Sequence, residues 1–349
     1  MAKKYYDISA ILETGAQYML LLGQRANGKS YQAKLTAVRA ALNGRPFVYL
    51  RRWRADITPK SVASYFGDVP LESLVGDEWE YIQAGKGEIY LASRDEKGKE
   101  IHGPVLGRYC ALNESERYKS QTFVDYQYII YEEFITDKTY IPDEPRLLQQ
   151  FVSTVARDRT VTVIMVGNTL SRVCPYFSEW CLENVLKQKQ GTIEIYHFHT
   201  DDGTVDVAVE YCATAKSKNT MFFGQAAKQI ITGEWDTVAV PKLQRKQYEY
   251  EKVYELLVEY QKFKFVIELL VENQNGGKLC FVYPFTGARH FDRIITDRFD
   301  ESPFISSRLD VTKRPEQYIR ECFQLNKVCY SDNLTGSDFK HVMDTFRFN

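Results

Sequence analysis

The sequence predicts an α/β fold for the first half of the chain, and three observations lead to this prediction. Residues 18–22 (YMLLL) and 47–50 (FVYL) are short apolar runs typical of strands buried in a parallel sheet. Residues 31–42, between these runs, have the composition of a helix, and Asn43-Gly44 can end it. The segment GQRANGKS joins the first run to the helix and matches the pattern GxxxxGK[ST] completely. This order of strand, loop and helix is typical of a phosphate-binding loop.

The residue types in this loop explain its expected chemistry. Its glycines allow backbone N–H groups to surround a phosphate, and the lysine contacts the β and γ phosphates of a nucleotide. The hydroxyl group that follows is a ligand for Mg²⁺. The predicted nucleotide-binding residues of the loop are Gly23, Gln24, Arg25, Ala26, Asn27, Gly28, Lys29 and Ser30.

Length and charge limit the remaining interpretations. With 349 residues, and about 150 residues in a domain, the chain is expected to form about two domains. The formal net charge of −1 argues against nucleic-acid binding by bulk charge. Residues 1–60, however, carry eleven Lys or Arg residues against three acids. This local excess suits a ligand that bears phosphates, and a solvated basic face is the alternative.

Cysteine usage and hydropathy indicate the compartment. The seven cysteines have no paired CxxC spacing, and no signal peptide is recognisable, so we expect reduced thiols in a cytosol-like environment. The apolar run at residues 18–22 is far shorter than the ~20 residues that cross a bilayer. We therefore expect no membrane span.

A group of arginines follows the second predicted strand. Arg51, Arg52 and Arg54 surround Trp53 where that strand ends. Ligands of parallel sheets lie at the carboxyl ends of strands, so these arginines are candidates for contact with nucleotide phosphate, a neighbouring subunit or a nucleic-acid backbone. A solvated basic turn is the alternative. Further along, residues 89–92 and 102–106 flank a polar turn and predict a hairpin.

Two adjacent carboxylates close the next predicted strand, residues 123–131. In sites that hydrolyse phosphates, the first acid belongs to the Mg²⁺ shell and the second polarises the attacking water. Glu132 and Glu133 fit these two roles in this order. Acid pairs also occur on ordinary surfaces, but this pair follows a phosphate-binding loop and ends a strand.

Another helix and strand follow the acid pair. Residues 144–155 have the apolar spacing of a helix, and Arg157 and Arg159 come directly after it. Residues 160–166 predict a strand that leads to Asn168. An asparagine at a strand end can sense the γ phosphate or the attacking water, and an arginine beside it can act as a finger across an interface. A turn asparagine and a helix-terminal arginine are the alternatives.

Taken together, these motifs resemble one known family. GQRANGKS, FVYLRRWR, IIYEEF followed by YIP, and the run VARDR to GN followed by PYF resemble the DNA packaging ATPases, or encapsidation proteins, of small Salasvirus-type short-tailed phages. The motifs are in register over residues 15–180, and the resemblance is fainter in the rest of the chain.

The resemblance implies a P-loop ATPase of the additional-strand type found in ring translocases. Such a protein works as a homomeric ring, a pentamer, at the portal vertex of an empty capsid in the host cytoplasm. It uses ATP and Mg²⁺ to pump double-stranded DNA inward. The portal, or connector, of the procapsid and a structured packaging RNA are its further implied partners.

The resemblance also assigns roles to individual residues. Lys29 and Ser30 bind the triphosphate and Mg²⁺, Glu132 has the metal-associated position and Glu133 the catalytic position. The family commonly has Asp where this chain has Glu132, which is one methylene longer. In addition, Arg157 has the position of the finger that acts in trans, with Arg159 as the alternative. Arg54 has a basic position between subunits, and Asn168 that of the coupling or sensor residue.

The second half of the chain contains weaker signals. The resemblance implies an ATPase domain over residues 1–205, a linker region over residues 206–245 and a nuclease-like domain over residues 246–349. The pattern over residues 262–283 predicts a hairpin that opens the last of these. Glu268, Asp292 and Asp297 are candidate nuclease acids, but no motif fixes their geometry. The resemblance implies an RNase H-like fold for this domain, and without a motif that fixes its acids we predict that it is vestigial and holds nucleic acid without cutting it.

Two other functions stay open at the level of sequence. One is a complete terminase whose C-terminal domain is an active metal-dependent nuclease. The other is a scaffold at the capsid vertex that uses ATP only as a structural ligand.

Overall fold

The computed structural model describes residues 6–182, 184–201, 203–213, 232, 234–243, 249–298 and 300–346. Two sheets organise these residues. The strands of the first sheet are Tyr18–Gly23 (β1), Phe47–Arg51 (β2), Tyr81–Gly85 (β3), Glu88–Arg94 (β4), Glu100–Ala111 (β5), Tyr128–Glu132 (β6), Thr162–Asn168 (β7), Thr192–Thr200 (β8) and Gly203–Tyr211 (β9). The strands of the second sheet are Tyr250–Tyr260 (β10), Phe263–Glu272 (β11), Lys278–Pro284 (β12), Ile294–Thr296 (β13), Ile305–Ser306 (β14) and Val328–Tyr330 (β15).

Helices connect and cover the sheets. The α-helices of the described residues are Ser9–Leu12 (α1), Lys29–Leu42 (α2), Pro59–Phe66 (α3), Leu71–Val75 (α4), Glu144–Ala156 (α5), Pro175–Glu179 (α6), Arg314–Gln324 (α7) and Asn333–Phe346 (α8). Short 3₁₀ helices lie at Arg54–Asp56, Gly76–Glu78, Leu112–Tyr118 and Val185–Lys187. None of the described helices is both long and apolar enough to span a membrane.

The first sheet has the strand order β3-β4-β5-β2-β6-β7-β1-β9-β8. Strands β5, β2, β6, β7, β1 and β9 run parallel, and antiparallel strands close both edges. Strand β7 lies between β1, which leads into the phosphate-binding loop, and β6, which carries the acid pair. This position is the one expected of an additional strand, and the predicted α/β sheet is confirmed.

Alternating side chains of the central strands fill two hydrophobic clusters. Met19 and Leu21 of β1 belong to one cluster, and Leu20 and Leu22 belong to the other. Because side chains alternate along a strand, the two clusters lie on opposite faces of the sheet. Burial on both faces explains why these strands are uniformly apolar in sequence.

Several predicted elements differ in extent from the observed ones. The hairpin is confirmed as β4 and β5, and it extends the central sheet through β2. The strand predicted from residue 123 begins only at Tyr128, so its first part was wrong. Asp125 has a φ of +59°, which a strand cannot contain, and Phe123 and Tyr126 fill the core from a loop instead.

The predicted boundary between the first two domains falls inside a strand. Strand β9 pairs with β1 and continues to Tyr211, beyond residue 205. Most of the predicted linker, at residues 214–231, 233 and 244–245, lies outside the described residues.

The second sheet has the order β14-β13-β10-β11-β12-β15. Strands β10, β11 and β12 are antiparallel neighbours, whereas β13 is parallel to β10 and β14 is parallel to β13. Helices α7 and α8 contribute Ile319, Cys322, Phe339 and Val342 to the cluster that covers this sheet. The mixed sheet thus has a hydrophobic core separate from those of the first sheet.

Candidate functional site

The loop after β1 has the backbone conformation of an anion-binding loop. Gly28 has a φ of +103° and directly precedes α2, so the first turn of this helix faces the loop. Gly23 has a φ of +143°, and a Cβ atom there would lie 3.4 Å from the Cys212 carbonyl oxygen. Glycine is therefore favoured at both positions. The loop opens into a cavity of about 610 Å³ lined by residues 25–32, Lys34, Asp68 and Asn168.

Lys29 is held by the oxygens of its own loop. Its Nζ donates hydrogen bonds to the Gln24 carbonyl oxygen (2.6 Å) and to Asn27 Oδ1 (3.2 Å). Burial lowers the pKa of Lys29 to about 8, although Cys212 and Glu132 oppose this shift. A phosphate anion near Nζ would restore the preference for the charged amine.

Ser30 and Glu132 are the residues that fit a magnesium ion. Ser30 Oγ donates a hydrogen bond to Glu132 Oε2 at 3.1 Å, which brings two hard oxygen ligands together beside the loop. Glu132 is buried, and burial raises the pKa of its carboxyl group, although hydrogen bonds from Tyr65 and Ser30 lower it. A cation at this position would favour the ionised carboxylate that it needs.

The loop also has polar atoms that nothing in the described residues satisfies. Gln24 Oε1 and Asn27 Nδ2 are buried there, with no hydrogen-bond partner among the described residues. Buried polar atoms without a partner are uncommon in folded proteins. Their presence beside Lys29 and Ser30 fits a loop shaped around a bound nucleotide.

Glu133 follows the buried acid but faces a different environment. Its φ is +58°, and its side chain is 57% exposed. Arg51 Nη2 donates a hydrogen bond to Glu133 Oε2 at 2.6 Å. Glu133 lines a second cavity of about 380 Å³, together with Glu132 and Arg51. In this conformation, a same-chain arginine therefore holds the predicted catalytic carboxylate.

Asn168 lies between the two cavities. It is the last residue of β7 and pairs with Gly23 at the end of β1. Both cavities are lined by Asn168 and by Arg25. Asn168 is therefore close to both the phosphate-binding loop and the acid pair, as expected of a residue that senses the γ phosphate.

The remaining predicted residues lie away from this site. Arg54 Nη1 donates to the Ile57 carbonyl oxygen at 2.9 Å, and Arg157 Nη2 donates to the Gln121 carbonyl oxygen at 3.1 Å. Arg159 is bound to the Phe123 carbonyl oxygen. None of the three arginines lines either cavity of its own chain.

Instead, Arg54 lines a third cavity of about 680 Å³, which we call the basic cleft. The other basic residues that line it are Lys86, Arg108 and Arg117. Gln121 connects the basic cleft to Arg157, since its side-chain oxygen accepts from Arg108 Nη1 at 2.8 Å and its carbonyl oxygen accepts from Arg157.

Sequence reasoning missed Tyr65 as a site residue. Its hydroxyl donates to Glu132 Oε1 at 2.6 Å, and its ring stacks on Tyr49 with a centroid distance of 4.6 Å. Tyr65 lies on α3, which begins with a capping box between Thr58 and Ser61. The capping residues could be found from sequence, but nothing in the motif order indicates that this helix packs over the acid.

The candidate nuclease acids are not assembled into one site. Glu268 lies buried on β11, whereas Asp292 and Asp297 are exposed on either side of β13. Tyr283 donates a hydrogen bond to Glu268 Oε1 at 3.2 Å. Among the described residues, no group of three His, Cys, Asp or Glu side chains has the geometry of a metal site.

The structure is thus that of a mixed α/β protein with a GxxxxGK[ST] loop after β1, an acid pair at the end of β6 and strand β7 between these two strands. Within this class, the chain belongs to the Podovirus DNA encapsidation protein (Gp16) family, whose model matches residues 1–198. Its function is the packaging of phage DNA.

Solved structures of packaging proteins are similar to this chain. The bacteriophage phi-29 genome packaging motor assembly is 20% identical, with 98% of this chain and 99% of that chain covered and a TM-score of 0.56. This likeness shows a shared fold over nearly the full length.

Two further structures have TM-scores below 0.5. The N-terminal domain of the DNA packaging ATPase from bacteriophage phi29 is 25% identical, covering 58% of this chain and 95% of that chain, with a TM-score of 0.44. The phi-28 gp11 DNA packaging motor is 18% identical, covering 100% of this chain and 99% of that chain, with a TM-score of 0.48. No curated protein sequence matches the chain.

Proposed function

We propose that the chain is the ATP-hydrolysing motor that translocates double-stranded DNA into a preformed phage capsid. The observation that carries this proposal is the contact between Ser30 Oγ and Glu132 Oε2 at 3.1 Å, with Glu133 directly after it. Binding a triphosphate alone requires only the loop. A metal-binding acid followed by a second, exposed carboxylate at the same edge of the sheet is what hydrolysis requires.

Each site residue has a distinct role in this proposal. Lys29 and the N–H groups of the loop bind the β and γ phosphates of ATP, while Ser30 and Glu132 hold Mg²⁺. When bound, Mg²⁺ offsets the charge that develops on the phosphates. Glu133 orients and polarises the attacking water after it leaves Arg51, and Asn168 senses whether the γ phosphate is present.

The motor is proposed to be a homomeric ring, a pentamer. Arg157 acts in trans on the nucleotide of a neighbouring subunit, with Arg159 as its alternative, and Arg54 contributes a second positive charge between subunits. The position of these arginines outside their own nucleotide cavity supports a role at an interface. A finger that enters from a neighbour completes the site only when the ring is assembled.

The C-terminal domain is proposed to be a vestigial RNase H-like domain. Three antiparallel strands followed by two parallel strands, in the order β12-β11-β10-β13-β14, support this topology. The separated positions of Glu268, Asp292 and Asp297 favour a domain that holds nucleic acid through phosphate contacts over one that cuts it. The proposed partners are the DNA, a packaging RNA and the portal, at the procapsid vertex in the host cytoplasm.

Steady-state ATP hydrolysis by the full chain, with and without double-stranded DNA, tests the motor function. We expect DNA to stimulate hydrolysis, and we expect Glu133→Gln to reduce kcat by about 10²-fold or more with little change in ATP binding, because it removes the water-orienting carboxylate. Glu72→Gln is the matched control, since Glu72 is exposed on α4. Equal rates for wild type and Glu133→Gln would contradict the assignment.

A further inference from the structure

A buried ion pair connects the end of β2 to the start of α5. Arg52 Nε donates to Glu144 Oε2 at 2.7 Å, and Arg52 Nη2 donates to Glu144 Oε1 at 3.0 Å. The two side chains are 6% and 0% exposed, respectively. A bidentate pair of this kind fixes the planes of both groups as well as their separation.

Other groups hold the Glu144 carboxylate in this one position. The hydroxyls of Tyr131 and Tyr176 donate to Oε1 at 2.6 and 2.9 Å, and the Ile141 N–H donates to Oε2 at 2.9 Å. Because a buried charge is costly wherever it lacks partners, this set of donors leaves the carboxylate little freedom to move.

Arg52 uses its remaining donors on the backbone of the predicted catalytic segment. Its Nη1 donates to the Glu133 carbonyl oxygen at 3.0 Å, and its Nη2 donates to the Phe134 carbonyl oxygen at 2.6 Å. Glu133 has a φ of +58°, which a residue with a side chain adopts only when its surroundings hold it there. Arg52 supplies contacts of this kind without touching the Glu133 carboxylate.

Glu144 connects the same pair to the predicted finger. It is the first residue of α5, which ends at Ala156, and Arg157 follows directly. A helix of 13 residues is about 20 Å long and moves as one rigid element. A shift at Glu144 is therefore carried along the helix to Arg157.

We infer that Arg52 and Glu144 are positioning residues that couple the backbone of Glu133 to the placement of α5 and Arg157. This inference rests on the proposed ATPase function. Movement of Glu133 within one site would then move the arginine that the same subunit presents to its neighbour. The hydrogen bonds of Arg52 and Glu144 join them to each other and to Tyr131, Glu133, Phe134, Ile141 and Tyr176, and none of these residues belongs to the phosphate-binding loop. The coupling therefore acts on hydrolysis and not on nucleotide binding.

The test is the full chain carrying Glu144→Gln, which keeps the side-chain shape and removes its charge. We expect kcat for ATP hydrolysis to fall about tenfold or more, since a displacement near 1 Å can cost about 10²-fold in rate. KM for ATP and the affinity for ADP should stay within about twofold of wild type. Arg52→Lys cannot form the bidentate pair, so it should also lower kcat while leaving KM nearly unchanged.

Glu316→Gln is a matched control for simple destabilisation. Glu316 is also fully buried in the first turn of a helix, α7, and accepts from Tyr254 Oη at 3.2 Å and from the Asp310 N–H at 2.6 Å. Arg293 Nε lies 3.7 Å from Glu316 Oε1. We expect this variant to lose thermal stability as Glu144→Gln does while retaining the wild-type kcat.

A second measurement does not depend on turnover. The affinity for ADP with aluminium fluoride and Mg²⁺, a mimic of the transferred phosphoryl group, should fall in Glu144→Gln relative to the affinity for ADP alone. Suppose that the wild-type chain hydrolyses ATP but that Glu144→Gln leaves kcat unchanged, or leaves the ratio of the two affinities unchanged. Either result overturns the inference and leaves the proposed function intact. A wild-type chain that binds no nucleotide overturns the proposed function, and the inference with it.

Discussion

Lys29 is a buried amine whose charge depends on what fills the loop around it. Its Nζ is satisfied by a carbonyl oxygen and an amide oxygen, but neither carries a full negative charge. Burial therefore dominates, and the pKa falls to about 8. A triphosphate in the loop reverses the balance, because its charge lies beside the amine.

We predict that ATP binding takes up a proton at Lys29 in alkaline solution. With a pKa of about 8, free Lys29 is mostly neutral at pH 9, and the bound form is charged, so nearly one proton is taken up for each site. At pH 7 the amine is charged before and after binding, and uptake is small. Above pH 8, the apparent affinity should fall up to about tenfold per pH unit.

Titration calorimetry of ATP and Mg²⁺ in two buffers of different ionisation enthalpy measures this uptake. Lys29→Arg is the control, since its guanidinium stays charged at all of these pH values. Equal proton uptake at pH 7 and pH 9 would contradict the prediction.

At this scale, the sequence predicts residues whose role is tied to a local pattern. Ser30 and Glu132 were assigned to one metal from motif order alone, and their side chains meet at 3.1 Å. Tyr65 and Glu144 could not be assigned in the same way, because each acquires its partner through packing between distant elements. Arg52 shows the same limit: its neighbour Arg51 faces Glu133, whereas Arg52 points into the core, and the run of arginines alone does not distinguish them.

The positions of the helices determine which arginines can reach the cavity around Lys29 of their own chain. The Arg54–Asp56 helix places Arg54 in the basic cleft, and the end of α5 places Arg157 against the Gln121 carbonyl oxygen. Both positions lie outside the cavity around Lys29. The basic cleft and the nucleotide cavity are thus separate surfaces of one subunit. In the proposed ring, a second subunit brings them together.

Mixing two inactive variants tests this arrangement. Arg157→Ala and Glu133→Gln should each lose most of their hydrolysis alone, because one lacks the finger and the other the water-orienting acid. Mixed rings contain interfaces at which a subunit with an intact Glu133 meets a neighbour with an intact Arg157. If the subunits mix at random in equal amounts, about a quarter of the interfaces are of this kind, so we expect up to about a quarter of the wild-type rate. The measurement is the rate of ATP hydrolysis across mixing ratios at constant total protein.

Arg117→Ala is the control in the same mixing series. Arg117 lies in the basic cleft, is 70% exposed and pairs with Glu114 of its own chain at 2.8 Å. It should stay active alone, because an exposed pair contributes little. If hydrolysis does not recover at any ratio, Arg157 acts on the nucleotide of its own subunit or is needed for folding. If Arg159→Ala, and not Arg157→Ala, recovers hydrolysis when mixed with Glu133→Gln, the finger is Arg159.

The predicted strands differ from the observed ones where tertiary packing overrides the local sequence pattern. Residues 123–127 have the composition of a strand, but the turn at Asp125 lets Phe123 and Tyr126 enter the core from a loop. In contrast, β1 and β7 were predicted within one or two residues, because strands buried on both faces have a uniform apolar sequence.

On the scale of the whole molecule, the segment after Asn168 connects the candidate nucleotide site to the second sheet. Thr169 Oγ1 donates to the Glu234 carbonyl oxygen at 3.2 Å, and Val173 is buried in the hydrophobic cluster of the second sheet. Arg172 forms an ion pair of 2.9 Å with Asp338 of α8. Five residues thus lead from the predicted sensor to the second core.

The sequence could not predict this connection or the order of the second sheet. Its strands alternate weakly and pair across long sequence separations, as β10 does with both β11 and β13. The boundary at residue 205 rested on the family resemblance, whereas β9 completes the first sheet by pairing with β1. Pairing between distant segments leaves no local pattern from which these features could be derived.

The Arg172–Asp338 pair should make the stability of the chain depend on pH in a specific way. Burial raises the pKa of Asp338 from 3.8 to about 6, although Arg172 lowers it. A raised carboxyl pKa means that the folded state binds a proton more readily than the unfolded state. The contribution of Asp338 to the free energy of unfolding therefore falls as pH rises from 4 to 6. Arg172 limits that loss, and removing it raises the folded pKa further.

We therefore predict that Arg172→Ala destabilises the protein at pH 7 by about 2 kcal/mol, and much less at pH 5. At pH 5 Asp338 is largely protonated with or without Arg172, so the lost ion pair contributes little. Thermal or urea unfolding of wild type and variant at the two pH values measures the difference. Arg320→Ala is the control, because Arg320 is exposed and has no ion-pair partner in the described part of the chain. A loss of stability equal at both pH values would mean that Arg172 acts through packing and that the charge of Asp338 does not hold the two domains together.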